Sequence, residues 1–152
     1  MKAILVTTDF SELAERALKP AADLAARLNA KLILGHVITS EKPPVPDKDA
    51  AHYTVAKRLY DADQEMESSI LAALQERADE LKPAEVVIDT ARGGAIEGIL
   101  KLAKSNEVGM IVISSLGRTG LRRLFLGSVA EELARNSPIP VLVWKEPADA
   151  KG

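Results

Sequence analysis

The sequence predicts one α/β domain built on a doubly wound, five-stranded, mainly parallel sheet with helices on both faces. Three observations carry this. Five short apolar runs, each of strand length, recur along the 152 residues. They are continuous rather than alternating, as strands buried on both faces are. The stretches between them have helical spacing, so the order reads β-α-β-α-β-α-β-α-β, the pattern of a parallel sheet with crossover helices.

Ala3–Val6 is the first apolar run, and Thr7-Thr8-Asp9 closes it in a polar turn. Ser11 is placed to cap a helix whose apolar positions run from Leu13 and Ala14 to Leu28. Pro20 falls inside that pattern and should kink or divide the helix. Leu32–Ile38 is the second strand. Thr39 to His52, with Pro43, Pro44 and Pro46, has no periodicity, and an irregular stretch of that length in a compact domain is often mobile or functional. A long helix follows with Leu59, Met66, Ile70, Leu74, Ala78 and Leu81 on one face, stopped by Pro83. On it, Asp61, Asp63, Glu65 and Glu67 read as a solvated charged face.

Val86–Ile88 is the third strand, closed by Gly93-Gly94. Ile96, Ile99, Leu100 and Ala103 mark a short helix, and Met110–Ile113 the fourth strand. Val129, Ala130, Leu133 and Ala134 mark the last helix, ended by Ser137-Pro138. Ile139–Trp144 is the final strand, with Trp144 an edge or interface residue. The domain is expected to occupy residues 1–146, with 147–152 a flexible tail.

Bulk properties narrow the function classes. The chain is 47% hydrophobic and 28% charged, with a mean hydropathy of +0.00, ordinary for a soluble domain. No cysteine is present, so disulfide frameworks and thiol catalysis are excluded. A net charge of -2 argues against nucleic acid or an anionic membrane as a partner. No apolar run approaches the roughly 20 residues that span a bilayer. The apolar N-terminus is too short for a leader and reads as a strand, so a cytoplasmic location is expected.

The stretch from Ile111 to Ser128 carries the chemistry. An apolar strand leads into a loop with Gly117, Gly120, Arg118, Arg122 and Arg123, and then Gly127-Ser128 opens a helix. Loop amides and a helix N-terminus in that order form a cradle for phosphate. The pattern alone fits a plain connecting loop equally well, because paired glycines also serve turns. Neither GxxxxGK[ST] nor GxGxxG occurs, so P-loop and standard dinucleotide folds are unsupported. If the first and fourth strands are neighbours, Thr7-Thr8-Asp9 and Ser114–Gly120 face one crevice. His36 reads as a core or sheet-end histidine, and His52 has no partner at metal-ligand spacing.

The whole chain resembles a universal stress protein domain. The resemblance rests on Ile4-Leu5-Val6-Thr7-Thr8-Asp9-Phe10-Ser11, Gly35-His36-Val37, Ile111 to Gly120, Leu126-Gly127-Ser128-Val129-Ala130-Glu131 and Ser137 to Val143. It implies a Rossmann-like sheet of the adenine nucleotide alpha hydrolase type. Nucleotide-binding members carry Gly-x2-Gly-x9-Gly-(Ser/Thr), which reads here as Ser114-x2-Gly117-x9-Gly127-Ser128. The spacing is intact and serine replaces the first glycine. A Cβ there is costly if the backbone needs positive φ; otherwise the hydroxyl can donate a hydrogen bond. Thr7 stands where proline is frequent.

By resemblance, Thr7, Asp9 and Val37 surround adenine and ribose. Ser114, Ser115, Leu116, Gly117, Arg118, Thr119 and Gly120 surround ribose and phosphates, and Gly127, Ser128, Val129 and Ala130 meet phosphates. The implied ligand is ATP or a related adenine nucleotide, with Mg²⁺ on the phosphates. The implied assembly is a homodimer through Ile139–Val143. The implied role is a stress-response regulator in which ligand changes Thr39–His52 or Arg118–Phe125 and so alters binding of a protein partner. No dedicated base for phosphoryl transfer is evident, so at most slow ATP hydrolysis is expected. A non-binding interaction module and a slow nucleotide hydrolase remain alternatives.

Overall fold

The computed structural model describes residues 1–82, 84–115 and 126–146. The five strands are β1 (Ala3–Thr7), β2 (Lys31–Ile38), β3 (Val86–Arg92), β4 (Met110–Ser114) and β5 (Val141–Trp144). They form one sheet in the order β3-β2-β1-β4-β5, and every pairing is parallel. The helices are α1 (Glu12–Glu15), α2 (Leu18–Arg27), α3 (Tyr53–Glu80), α4 (Ala95–Ser105) and α5 (Ser128–Asn136). Side chains alternate along each strand, so the sheet serves two cores. Ile4, Val6, Leu32 and Leu34 bury against α2 and α3 on one face. Ala3, Leu5, Ile33, Ile111 and Ile113 bury against α4 and α5 on the other. The doubly wound architecture expected from the apolar runs is the one observed.

Several boundaries differ from the sequence reading, each for a local reason. The first helical pattern is two helices. Pro20 sits in the first turn of α2, where a missing N–H costs nothing, but it cannot donate to the carbonyl of Arg16, and the chain breaks there. β3 runs on through Asp89 to Arg92, because an edge strand tolerates polar residues; the Asp89 carboxylate accepts from Asn106 Nδ2 at 2.8 Å. β5 begins at Val141 rather than Ile139. Ile139 is held in a local turn by Ser137, whose hydroxyl donates to its carbonyl at 2.7 Å, and the Pro140 carbonyl accepts from Ile111 N–H at 2.9 Å.

α3 departs most. Leu74, Ala78 and Leu81 are buried, yet Leu59 is 60% and Met66 37% exposed. A helix of 28 residues is about 42 Å long, whereas the seven residues of β3 span about 23 Å. One end must overhang. It is the N-terminal end, beyond the carboxyl ends of the strands. Nor is its acidic run wholly solvated. Asp63 is 8% exposed and takes a two-pronged hydrogen bond from one guanidinium nitrogen of Arg92, at 3.0 and 2.9 Å, with Glu67 at 3.2 Å. Arg92 also donates to the carbonyl of Ser40 at 3.3 Å, tying α3 and the irregular residues 39–52 to the end of β3.

Candidate functional site

β1 and β4 are neighbours, paired in register at Ile4↔Met110, Leu5↔Ile111 and Val6↔Val112. From β1 the chain winds outward through β2 to β3, then returns to place β4 and β5 on the other side. The strand order therefore reverses between β1 and β4, and their carboxyl ends diverge around a crevice, the usual ligand position in open α/β sheets. Asp9 lies three residues past Val6 and Ser115 three past Val112, so both stand at the same level above the sheet end.

The β1 side of the crevice is a tightly bonded turn. Thr8 is 2% exposed, and its N–H donates to the Gly35 carbonyl at 3.0 Å. Its hydroxyl accepts from Phe10 N–H at 2.9 Å, and its carbonyl lies 2.8 Å from His36 Nδ1. A carbonyl only accepts, so His36 donates from Nδ1. The Asp9 carboxylate accepts from Ser11 N–H at 2.9 Å, and the Ser11 hydroxyl accepts from Ala14 N–H at 3.2 Å, capping α1 as expected. Phe10 has φ 63. For a bulky residue the left-handed region costs about 1–3 kcal/mol and persists only when neighbours impose it. They do so here. The Phe10 ring lies 4.6 Å from the His36 ring, and the Arg77 guanidinium sits 4.9 Å from its centroid. Arg77 in turn donates to Glu15 and to the Ala73 carbonyl.

The β4 side begins with Ser114, the last residue of the strand, paired with Trp144. Its backbone is extended: among the described residues other than glycine, only Phe10, Asn29 and Glu107 have positive φ. A Cβ at position 114 is therefore unstrained. Ser115 closes the base of the following segment, since its N–H donates to the Trp144 carbonyl at 2.9 Å and its carbonyl accepts from Gly127 N–H at 2.7 Å. Gly127 caps α5, and the first intrahelical bond runs from Glu131 N–H to Gly127. Helix geometry then leaves the N–H groups of Ser128, Val129 and Ala130 without intrahelical acceptors at the crevice end of α5. The Ala130 side chain is in the core, so only its backbone can serve a ligand.

Thr7 and Val37 lie under the α4 side. The Val37 side chain packs on Gly98, where a Cβ would meet its methyls at 2.4 and 2.7 Å. Gly98 thus lets α4 lie directly on β2, against the Val37 side chain. Leu116, Gly117, Arg118, Thr119 and Gly120 lie outside the described residues, as do Arg122, Arg123 and the expected tail. Phe10, His36 and Arg77 around the Asp9 turn were not singled out by sequence as parts of a site. A phenylalanine with positive φ carries no sequence signal, and Arg77 is 62 residues from the Glu15 it binds.

Elsewhere, His52 stands at the start of α3 and makes no side-chain capping bond. Among the described residues no group of three histidines or carboxylates could hold a metal, and no helix is long and apolar enough to cross a membrane. Lys101 holds the Glu97 carboxyl below its usual range through a hydrogen bond in the first turns of α4. A half-open groove of about 330 Å³ lies between α2 and β4–β5, with Leu24, Val112, Leu142 and Trp144 as its apolar lining and Asp23 and Arg27 also on its wall.

Comparison with known proteins agrees with this arrangement. The Universal stress protein family model matches residues 1–145. The universal stress protein MJ0577 of Methanocaldococcus jannaschii is 31% identical over 153 residues, covering 95% of this chain and 94% of the relative. A solved structure of MJ0577 is similar with a TM-score of 0.74 at 30% identity, covering 96% of each chain. A universal stress protein solved in complex with cAMP shares the fold, with a TM-score of 0.62 at 22% identity over 95% of this chain and 96% of its own. The universal stress protein from Archaeoglobus fulgidus in complex with dAMP does too, with a TM-score of 0.58 at 20% identity over 95% and 98%. The topology, the β1–β4 crevice and the match across residues 1–145 agree: the chain belongs to the universal stress protein family.

Proposed function

We propose that this protein binds ATP or a related adenine nucleotide, with Mg²⁺ on the phosphates, in the crevice between β1 and β4, and acts in the cytoplasm as a ligand-dependent regulator of the stress response. The observation that carries the reading is the juxtaposition across that crevice. The Asp9 turn stands on one side, and Ser114, Ser115 and the α5 N-terminus stand on the other. A carboxylate and hydroxyls suit ribose and base; helix amides suit phosphate. Two proteins of the same fold were solved with adenine nucleotides, cAMP and dAMP, which supports this ligand class. The extended backbone at Ser114 supports it further, because serine in place of glycine brings no strain.

Regulation follows from where the site lies. Residues 39–52 leave the carboxyl end of β2, next to β1 in the sheet, and lead into α3, which packs on β2 and β3. Nucleotide in the crevice orders 39–52 and changes the surface offered to a protein partner. A second copy pairs along β5, an edge strand whose described partner is β4 alone. Isothermal titration with ATP and Mg²⁺ tests the binding claim. Saturable binding by the natural chain is expected, weakened about tenfold to a hundredfold but still measurable in Asp9→Ala with its melting curve intact. Limited proteolysis tests the regulatory claim: cleavage within 39–52 should slow with saturating ATP, and equal cleavage with and without it counts against the mechanism.

A further inference from the structure

Two residues from separate elements converge on Phe10 of the Asp9 turn without belonging to the nucleotide contacts inferred above. His36 on β2 donates to the Thr8 carbonyl at 2.8 Å and lies against the Phe10 ring at 4.6 Å. Arg77 on α3 covers the Phe10 ring at 4.9 Å and is itself anchored by Glu15 on α1. Phe10, with φ 63, sits between Asp9 and Ser11, the two residues whose carboxylate and N–H are bonded together. A left-handed phenylalanine is unfavourable in an isolated chain, so the turn's shape depends on the His36 hydrogen bond to Thr8 and on the Arg77 cation over the Phe10 ring. The side chains at either end of this clamp are part-buried, Arg77 24% and Glu15 34% exposed, where cation–π and ion-pair contacts exceed their fully solvated strength.

We propose that His36, Phe10 and Arg77 are positioning residues that set the place of the Asp9 carboxylate in the crevice and so determine nucleotide affinity through Asp9. The proposal rests on the nucleotide reading for its ligand, though the clamp itself is made of contacts within the chain. Because Arg77 belongs to the last turn of α3, the clamp also joins the Asp9 turn directly to that helix. Displacing Asp9 on binding must then move the Phe10 ring against Arg77, a contact between two packed elements rather than a remote correlation.

Two readouts on the full chain test this. The first is amide hydrogen exchange at Phe10 and Ser11, whose N–H groups bond to Thr8 Oγ1 and Asp9 Oδ1, in natural protein without nucleotide and in three variants. His36→Phe keeps a ring and loses the donor, His36→Asn keeps a donor near the Nδ1 position and loses the ring, and Arg77→Met keeps the stem and loses the cation. Exchange at both amides is expected to quicken by about tenfold or more in His36→Phe and Arg77→Met, with less change in His36→Asn. Unchanged exchange in all three variants overturns the clamp.

The second readout is ATP affinity for the same variants, each made also in an Asp9→Ala background. In His36→Phe and Arg77→Met affinity is expected to fall about tenfold with Asp9 present and by less than about twofold without it, with a smaller loss in His36→Asn. Equal losses in both backgrounds assign these residues a general structural role and overturn the positioning claim. If the natural chain binds no adenine nucleotide, the functional reading fails, and with it the positioning of Asp9 for nucleotide. The exchange experiment still decides separately whether the clamp holds the turn.

Discussion

Among the described glycines Gly98 leaves the least room for a side chain, and replacing it with alanine gives a sharp test of how α4 is seated. A Cβ at this position would lie 2.4 and 2.7 Å from the two methyls of Val37 and 3.1 Å from its Cβ. Rotating Val37 relieves one methyl contact but not the contact to Cβ, so α4 must lift from β2. Forcing one extra methyl into a packed interior costs about 1–3 kcal/mol, offset by up to ~1 kcal/mol from the better helix propensity of alanine. The net loss is about 1–2 kcal/mol, a fall in Tm of roughly 2–8 °C for a chain of this length. Urea and thermal unfolding followed by circular dichroism measure it. Adding Val37→Ala should recover most of the Gly98→Ala loss, because the volume removed is the volume that clashes. A Gly98→Ala variant as stable as the natural chain refutes the argument, since α4 would then be free to slide.

Other consequences concern the ends of the strands. Arg92→Met leaves Asp63 buried beside Glu67 without its cation and should cost about 2–4 kcal/mol, largely restored by Asp63→Leu in the same chain. An Arg92→Met loss within experimental error means that α3 is not held by this cluster. Ser114→Gly should change ATP affinity by less than about threefold, since the serine backbone is already extended, while lowering stability by about 0.5–1 kcal/mol through strand entropy. A gain of ATP affinity of tenfold or more on that substitution would instead show that the serine blocks the site. Ser11→Ala removes the cap of α1 and should cost about 1 kcal/mol, read as a fall in Tm of a few degrees.

The fold was legible where sequence carries periodicity. Ile4 to Val6, Leu32 to Leu34 and Ile111 to Ile113 are buried on both faces, so their continuous apolar runs announced parallel strands directly. β3 was read too short, because its outer half is written in Asp89, Thr90 and Arg92, residues an edge strand tolerates. The apolar stripe of α3 was read as one face over its whole length, and periodicity reports a face but not whether the sheet reaches that far. Leu59 and Met66 lie where it does not. For the candidate site, Asp9, Ser114 and Gly127-Ser128 were singled out from resemblance and spacing, and the adjacency of β1 and β4 puts both groups at one sheet end. The clamp around Phe10 was invisible, because it depends on one dihedral angle and on contacts between residues far apart in sequence.

Native mass spectrometry of the freshly purified chain, before and after adding ATP and Mg²⁺, tests the central claim most directly. The account predicts one adenine nucleotide per chain, carried through purification or taken up on addition, and the same spectrum reports whether the species is a dimer. A chain that arrives bare and stays bare at millimolar ATP contradicts it.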